Sequence, residues 1–399
     1  MSAVSTYLRD FNRSLTLKPQ GFTMVVAAFL PVFAIIAMFP VVASIIAHFH
    51  DDPAAAIKVP AMVTAPGYAI ALLAPFAGAA VDRFGRRPLL LVATFFYGII
   101  GSAPFFLESL DAIIASRIAL GVCEAAILTI VNTLIADYWD DSGRRNWLML
   151  QGLIGPAFQP LVFIGVAAVA TVRWNGGFLV YLIALPIFLA MVVFLFEPER
   201  PAAAGPAEAP TGKFPVGAAA LVGTVTLFAS ILYYVFIVNG SIVWREIGLT
   251  DPMAVSTATV FPAMFILAGS VLFRVVSRYA NAVQIAVFMA LLGTGLAIIG
   301  SVHSIRAMQL GLIIQQTGAG MAVPALIAWA QGKFGFAHRG RGMGIWTSAF
   351  FLGQAVSPIV IGLIAHAAGS MQHAFAIAGL AGIAFAAGTL VLARRTHAI

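Results

Sequence analysis

The stretch Gly78-Ala-Ala-Val-Asp-Arg-Phe-Gly-Arg-Arg-Pro88 places four charges, Asp82, Arg83, Arg86 and Arg87, in a chain of which only 9% is charged. Apolar runs flank it, approximately 60–81 before and 88–107 after. Charge gathered at the junction of two such runs marks a turn held outside hydrocarbon. The 399 residues are 61% hydrophobic and their mean hydropathy is +0.99, which excludes a water-soluble globular domain. A run of about 20 apolar residues is long enough to cross a bilayer as a helix. Twelve can be placed: 22–48, 60–81, 88–107, 111–136, 146–171, 176–196, 216–240, 253–276, 281–301, 305–331, 341–367 and 372–393. The expected fold is therefore all-α, with twelve transmembrane helices. The first run is too long, and too polar at its flanks, for a cleaved signal peptide.

Short loops retain Lys and Arg on the cytoplasmic side. With the amino terminus inside, seventeen of the 22 basic residues fall there: Arg9, Arg13, Lys18, Arg83, Arg86, Arg87, Arg144, Arg145, Arg200, Lys213, Arg274, Arg278, Lys333, Arg339, Arg341, Arg394 and Arg395. The opposite side receives Lys58, Arg173, Arg245 and Arg306, and Arg117 falls within helix 4. Both termini are accordingly expected in the cytoplasm. The same bias accounts for most of the +7 net charge, so the basicity implies no nucleic-acid partner. The single cysteine, Cys123, lies inside helix 4 and reads as a packing residue. The histidines show no metal-ligand spacing, and no metal or cofactor is expected.

Residues 197–215, rich in Pro, Ala and Gly, form the one long hydrophilic connection and read as a cytoplasmic linker. It separates a six-helix half over 1–196 from a second over 216–399. Residues 140–160 (DDSGRRNWLMLQGLIGPAFQP) and 336–358 (FAHRGRGMGIWTSAFFLGQAVSP) echo each other: a Gly-Arg turn, then an apolar helix with glycine and proline at similar depth. An echo at the same place in each half points to a duplicated unit.

The opening stretch resembles the signature loop between helices 2 and 3 of the major facilitator superfamily, G-x-x-x-D-R-x-G-R-[RK]. Gly78, Asp82, Arg83, Gly85, Arg86 and Arg87 stand at its positions. The matching loop of the second half, Gly269 to Gln284, keeps Gly269, Arg274 and Arg278 but no acid. The resemblance implies a multi-pass transporter of the inner or plasma membrane, acting as a monomer on a small-molecule substrate within the lipid bilayer. It also implies a cytoplasmic gate. Asp82 would face the positive amino-terminal end of helix 11 near Gly340–Gly344, and Arg86 would bridge Asp82 to Asp137 at the end of helix 4. Such a cluster would close the cytoplasmic face and break when the transporter opens inward.

Helix 4 carries Arg117 and Glu124, seven residues and two turns apart, hence on nearly one face and about 10 Å apart along the axis. An ionisable residue at membrane depth costs at least about 2.5–3.5 kcal/mol and is expected to face a cavity and a partner. The pattern R-x-x-x-G-x-x-E-A is similar to helix 4 of the spinster-like and proton-coupled branches, which implies proton coupling at Glu124 with Arg117. Helix 1, however, lacks the acid and arginine of spinster proteins. Gly152, Gly155 and Pro156 in helix 5 partly resemble the glycine-proline motif of antiporters.

In this fold the substrate cavity lies at mid-membrane, walled by helices 1, 4, 7 and 10 with help from 2, 5, 8 and 11. The candidates there are Phe33, Asn132, Gln151, Gln159, Tyr233, Tyr234, Asn239, Gln315, Gln316, Trp346 and Gln354. Amides and phenols in an apolar, Phe-rich setting fit a lipophilic, neutral or cationic compound and disfavour a sugar phosphate or dicarboxylate. The reading that follows is a proton-coupled exporter. A spinster-like lysolipid or sphingolipid transporter and a proton-coupled uptake symporter are its alternatives. A membrane sensor or enzyme is a further one, but the loops are too short for a catalytic or signalling domain and carry no nucleotide, zinc or nucleophile motif.

Overall fold

The computed structural model describes residues 15–73, 76, 85–198, 214–334 and 338–396. Inside hydrocarbon every backbone N–H and C=O has to be paired within the protein, which for single segments means helix. Among the described residues every regular element is helical. In chain order these are α1 (Lys18–His48), α2 (Ala55–Thr64 continuing as Pro66–Leu73), α3 (Arg86–Phe105), α4 (Leu110–Tyr138), α5 (Asp141–Ala170) and α6 (Gly176–Phe194). They continue as α7 (Val216–Glu246), α8 (Pro252–Val276), α9 (Asn281–Ile299), α10 (Ile305–Lys333), α11 (Arg339–Ala368) and α12 (Met371–Thr396).

By length and composition, ten helices among the described residues can cross a membrane, or eleven if the bent α2 is one span. The expected span 146–171 falls in α5, a 30-residue helix whose apolar stretch is Phe158–Ala170. Four of the helices open on side-chain caps that the sequence supplies locally. Ser109 and Ser304 cap α4 and α10. Asp140 accepts from Gly143 N at 2.8 Å to start α5, and Asp251 accepts from Ala254 N at 2.8 Å to start α8.

Several helices are less regular than the apolar runs imply, α1 and α2 among them. Helix α1 tightens into a 3-10 turn at Phe39–Val41, where Pro40 withholds a donor. Helix α2 bends by 43° between Thr64 and Pro66, because proline removes an N–H and its ring collides with the preceding turn.

Helix contacts close a ring in the order α1, α5, α8, α10, α7, α11, α2 and α4, returning to α1. Helices α3, α6, α9 and α12 pack outside it: α3 on α4 and α6, α12 on α9 and α7. The first six helices meet the last six along α5–α8, α11–α2 and α1–α7. Since α1, α3, α5, α7, α9 and α11 start at the same end, the bundle has an Arg86 face and a His48 face.

Lipid offers no hydrophobic drive for helices to associate, so close contact rests on small residues. At the α8–α10 crossing a methyl group on Gly320 would run into the Ile266 carbonyl, and one on Gly269 into the Thr317 carbonyl. A methyl on Gly388 of α12 would meet only open space. Gly320→Val is expected to lower the melting temperature in detergent by several degrees, the size of an overpacking cost of about 1–3 kcal/mol. Gly388→Val is expected to leave it within about one degree, and equal melting of the two would refute this crossing.

Candidate functional site

Between the two sets of helices lies a cavity of about 270 Å³. Helix α1 contributes Pro31, Val32, Ile35, Ile36 and Phe39, and α5 contributes Gly155, Gln159 and Phe163. The opposite wall is Tyr233, Tyr234, Phe236 and Ile237 of α7, with Thr259 of α8, Gln316 of α10 and Phe350, Phe351 and Gln354 of α11. Among the described residues the two tyrosines are the only ionisable groups in the lining. Gln316 and Gln354 are buried and Gln159 partly so.

Towards the His48 face the walls meet. The Phe39 ring stacks on Phe163 with centroids 5.0 Å apart and approaches Phe236 at 5.4 Å. Arg245 at the end of α7 donates from Nη1 to the Ala43 carbonyl of α1 at 3.1 Å. Ser256 of α8 donates to the Phe163 carbonyl at 3.3 Å. Towards the Arg86 face a separate crevice of about 1320 Å³ is lined by Tyr68, Ala71 and Leu72 of α2, the first turns of α7, and α11 from Arg341 to Leu352. Its stripe on α11, Arg341, Ile345, Ser348 and Leu352, lies on another face of the helix from Phe350, Phe351 and Gln354 of the cavity.

Beside the cavity, α4 holds two charged residues, each only 1% exposed: Arg117 and Glu124. The Arg117 guanidinium is occupied by the end of α3. Its Nη2 donates to the Ile100 carbonyl at 2.9 Å and the Gly101 carbonyl at 2.7 Å, and it lies 4.9 Å from the Tyr181 ring centroid and 5.3 Å from that of Phe178. A cation against the last carbonyls of a helix is favoured by the helix dipole. Among the described residues no ion pair joins Arg117 to Glu124. The spacing brings the two residues to one face, yet the arginine reaches away to α3.

Glu124 keeps a buried carboxylate oxygen, Oε1, with no hydrogen-bond partner among the described residues. One turn earlier, Gly121 sits against the bend of α2, where an added methyl would meet Pro66 Cα at 2.7 Å. One turn later comes Leu128, in the cavity wall, and one further Asn132, whose Oδ1 accepts from Gln151 Nε2 at 3.5 Å. Glu124, Leu128 and Asn132 therefore form one stripe.

Two tyrosines that no motif in the sequence marks hold α1 against this region. Tyr97 donates to the Leu30 carbonyl at 2.6 Å and Tyr181 to the Ala34 carbonyl at 2.8 Å. Ala34 needs that donor because Met38 N turns to the Ile35 carbonyl at 3.1 Å instead.

On the Arg86 face, Gly78, Asp82 and Arg83 lie outside the described residues. Gly85 precedes α3 with φ +86°, a conformation glycine adopts without strain. Arg86 Nε pairs with Asp137 Oδ2 at 2.5 Å. Glu197 clasps the start of α3, accepting from Arg86 N at 2.8 Å and Arg87 N at 2.6 Å. The Arg87 side chain donates to the carbonyls of Leu195 and Val192 at the end of α6, at 2.8 and 2.9 Å. Glu197, assigned by the sequence to the linker, is thus tied to α3. The only signal for it was an acid directly after a long apolar run.

Of the eleven substrate candidates, the cavity gathers Gln159, Tyr233, Tyr234, Gln316 and Gln354. Asn132 and Gln151 lie on cavity stripes towards the Arg86 face, a turn from Leu128 and Gly155. The other four stand apart. Phe33 packs among the first six helices, with its ring 6.2 Å from Tyr181. Asn239 turns back to the Val235 carbonyl at 3.2 Å, Gln315 is fully buried where α10 meets Gly295 of α9, and Trp346 stacks on Phe350 at 5.3 Å. Their residue types were visible in the sequence, but the helix faces they occupy were not.

Residues 22–302 and 222–398 match the profile of the Major Facilitator Superfamily. The chain belongs to this superfamily. Similar relatives include the D-xylose transporter of Levilactobacillus brevis, 32% identical over 148 residues, 33% of this chain and 30% of that protein. The multidrug efflux pump LfrA of Mycolicibacterium smegmatis is 30% identical over 120 residues, 29% of this chain and 23% of the pump. Each match thus spans less than a third of the relative's length. A bacterial homolog of the human lysosomal transporter Spinster, in an inward-facing and occupied conformation, superposes with a TM-score of 0.77 at 13% identity, covering 94% of this chain and 96% of that one. A point mutant of the nucleoside transporter NupG superposes at 0.76 with 11% identity, covering 93% and 99%. The relatives it matches are themselves a sugar transporter and an efflux pump.

For this major facilitator chain, Tyr181→Phe leaves the Ala34 carbonyl unpaired, a loss of about 1–3 kcal/mol, and Arg117→Leu strips two carbonyls of a charged donor. Detergent melting curves are expected to fall for both and further for Arg117→Leu; an unshifted Arg117→Leu curve would show that the guanidinium does not hold α3.

Proposed function

We propose that the protein is a secondary transporter that works by alternating access and exports a lipophilic or amphipathic small molecule in exchange for protons. In this reading 1–196 and 216–399 are two six-helix halves joined by 197–215, acting as one monomer. The Arg86 face, with its surplus of Lys and Arg, is cytoplasmic together with both termini. The conformation described is then inward-facing, sealed towards the His48 face by Phe39, Phe163, Phe236 and Arg245, where α5 also packs on the first half of α8, Pro252–Ala263.

The observation that carries the proposal is Glu124. A carboxylate buried at mid-span, with a free oxygen and no arginine on it, is costly when ionised. Its helix turn adjoins the cavity wall at Leu128 and the bend of α2 at Gly121. Whether Glu124 holds a proton depends on which side water can reach it from, and that access alternates as the halves rock. The efflux pump among the relatives supports the direction, and the neutral, aromatic lining supports a lipophilic cargo.

The cluster of Arg86, Arg87, Asp137 and Glu197 braces the inner ends of α3, α4 and α6 as one body. Asp82 completes the gate by meeting the start of α11 when the inner face closes.

The test is transport into proteoliposomes with and without an imposed pH gradient. Glu124→Gln is expected to retain substrate exchange at near wild-type rate while losing at least about tenfold of the gradient-driven accumulation. Full accumulation by Glu124→Gln would remove the coupling role. Asp82→Asn is expected to slow turnover while leaving substrate affinity within about twofold, and an equally large loss of affinity would count against the gate.

A further inference from the structure

The lining of the central cavity restricts what it can hold beyond "lipophilic". Among the described residues no carboxylate, guanidinium or ammonium faces it, and a charged ligand placed there would lose its water without gaining a counter-charge. The walls are ring faces: Phe39 stacked on Phe163 on one side, and Tyr234 against Phe350, centroids 5.7 Å apart, on the other. Rings in such a space favour another flat ring, offset-stacked or edge-on. At 270 Å³ the volume lies at the small end of ligand sites, roughly 300–1,000 Å³, which suits a compact molecule better than a long acyl chain.

Within this apolar frame one group is left waiting. Gln354 is 1% exposed, lines the cavity, and its Oε1 has no partner among the described residues. Its amide is wedged beside Gly67 of α2, where an added methyl would stand 3.4 Å from Gln354 Nε2. The amide is therefore lodged at the junction of α2 and α11 with its Oε1 closed to water at the edge of the cavity, and a ligand donor meets it when the side chain turns inward. A buried acceptor left unpaired is costly, and a site built this way discriminates against analogues that lack the donor.

We propose that the cavity selects compact, uncharged aromatic molecules that carry a hydrogen-bond donor, and that Gln354 reads the donor. This rests on the cavity being the substrate site of the transporter described above, and it requires neither proton coupling nor a direction of transport.

The test is equilibrium binding to the full-length protein in lipid nanodiscs with no pH gradient. Four probes are compared: 2-naphthol, its methyl ether 2-methoxynaphthalene, the anion 2-naphthoate, and lysophosphatidylcholine. Saturable binding of 2-naphthol is expected, with the ether at least about tenfold weaker, a difference of about 1.4 kcal/mol. Neither 2-naphthoate nor the lysolipid is expected to compete.

Gln354→Met is expected to reduce 2-naphthol to the affinity of the ether and to leave the ether unchanged. The unchanged ether affinity certifies that the variant is folded, and the wild-type comparison stands if it is not. Equal affinity for alcohol and ether, tighter binding of naphthoate or lysolipid, or a Gln354→Met variant that holds the ether as the wild type does and still binds 2-naphthol more tightly would each overturn the proposal. Loss of gradient-driven transport with this binding pattern intact would overturn only the coupling. Intact coupling with the wrong binding pattern would overturn only the substrate class.

Discussion

Inside a bilayer no water relieves an unpaired carbonyl, and the local architecture of this protein follows from meeting that demand wherever a helix is interrupted. The 3-10 turn in α1 frees the Ala34 carbonyl, and Tyr181 supplies its donor. The end of α3 frees those of Ile100 and Gly101, and Arg117 supplies theirs. At the bend of α2, Thr64 lies 3.4 Å from the Ala355 carbonyl of α11, across the boundary between the two sets of helices. Each repair fixes the position of a neighbour. Because the guanidinium of Arg117 is committed to α3, the carboxylate of Glu124 is left without an ion-pair partner among the described residues, and such an acid beside a cavity is what distinguishes this membrane interior from inert packing.

The two sets of helices differ in how they use polarity. Helices α4 and α10 are each 29 residues long and begin on a serine cap. Counted from that cap, Arg117, Gly121 and Glu124 of α4 correspond to Leu312, Gln316 and Ala319 of α10. The first set therefore carries ionisable chemistry in its core, whereas the second offers neutral amides and phenols to the cavity. The bend of α2 touches both, meeting α4 through Gly121 and α11 through Gly67, where a methyl would come within 2.9 Å of the Phe351 carbonyl. A shift of α4 at this level therefore reaches the wall that holds Gln354 through a contact with almost no slack.

Much of this was legible in the sequence. Long apolar runs and clustered arginines announce the helices and their order, since hydropathy reports the solvent a segment needs. The motif around Arg86 announced the family, and the depth of Glu124 marked it as exceptional. Which face of a helix meets the cavity was not legible, because a helix apolar on all sides carries no stripe to read. Gln315 and Gln316 are adjacent in sequence and equal in chemistry, yet one is packed against α9 and the other lines the cavity. The long-range partners were hidden for the same reason: the pairing of Arg117 with α3 and of Glu197 with Arg86 and Arg87 depends on how helices cross, and neither spacing nor composition encodes that.

The joints within each set of helices and the joint between the sets are also built from different forces. Ion pairs such as Lys58 with Asp52 and Asp111, or Arg86 with Asp137, stay within the first set, whereas on the His48 face the two sets meet through aromatic rings and an arginine bonded to a neutral carbonyl. Attractions between exposed charges fade over a screening length of about 8 Å at physiological ionic strength, while ring stacking does not respond to it. The joint between the two sets of helices on the His48 face is thus one that dissolved salt does not loosen.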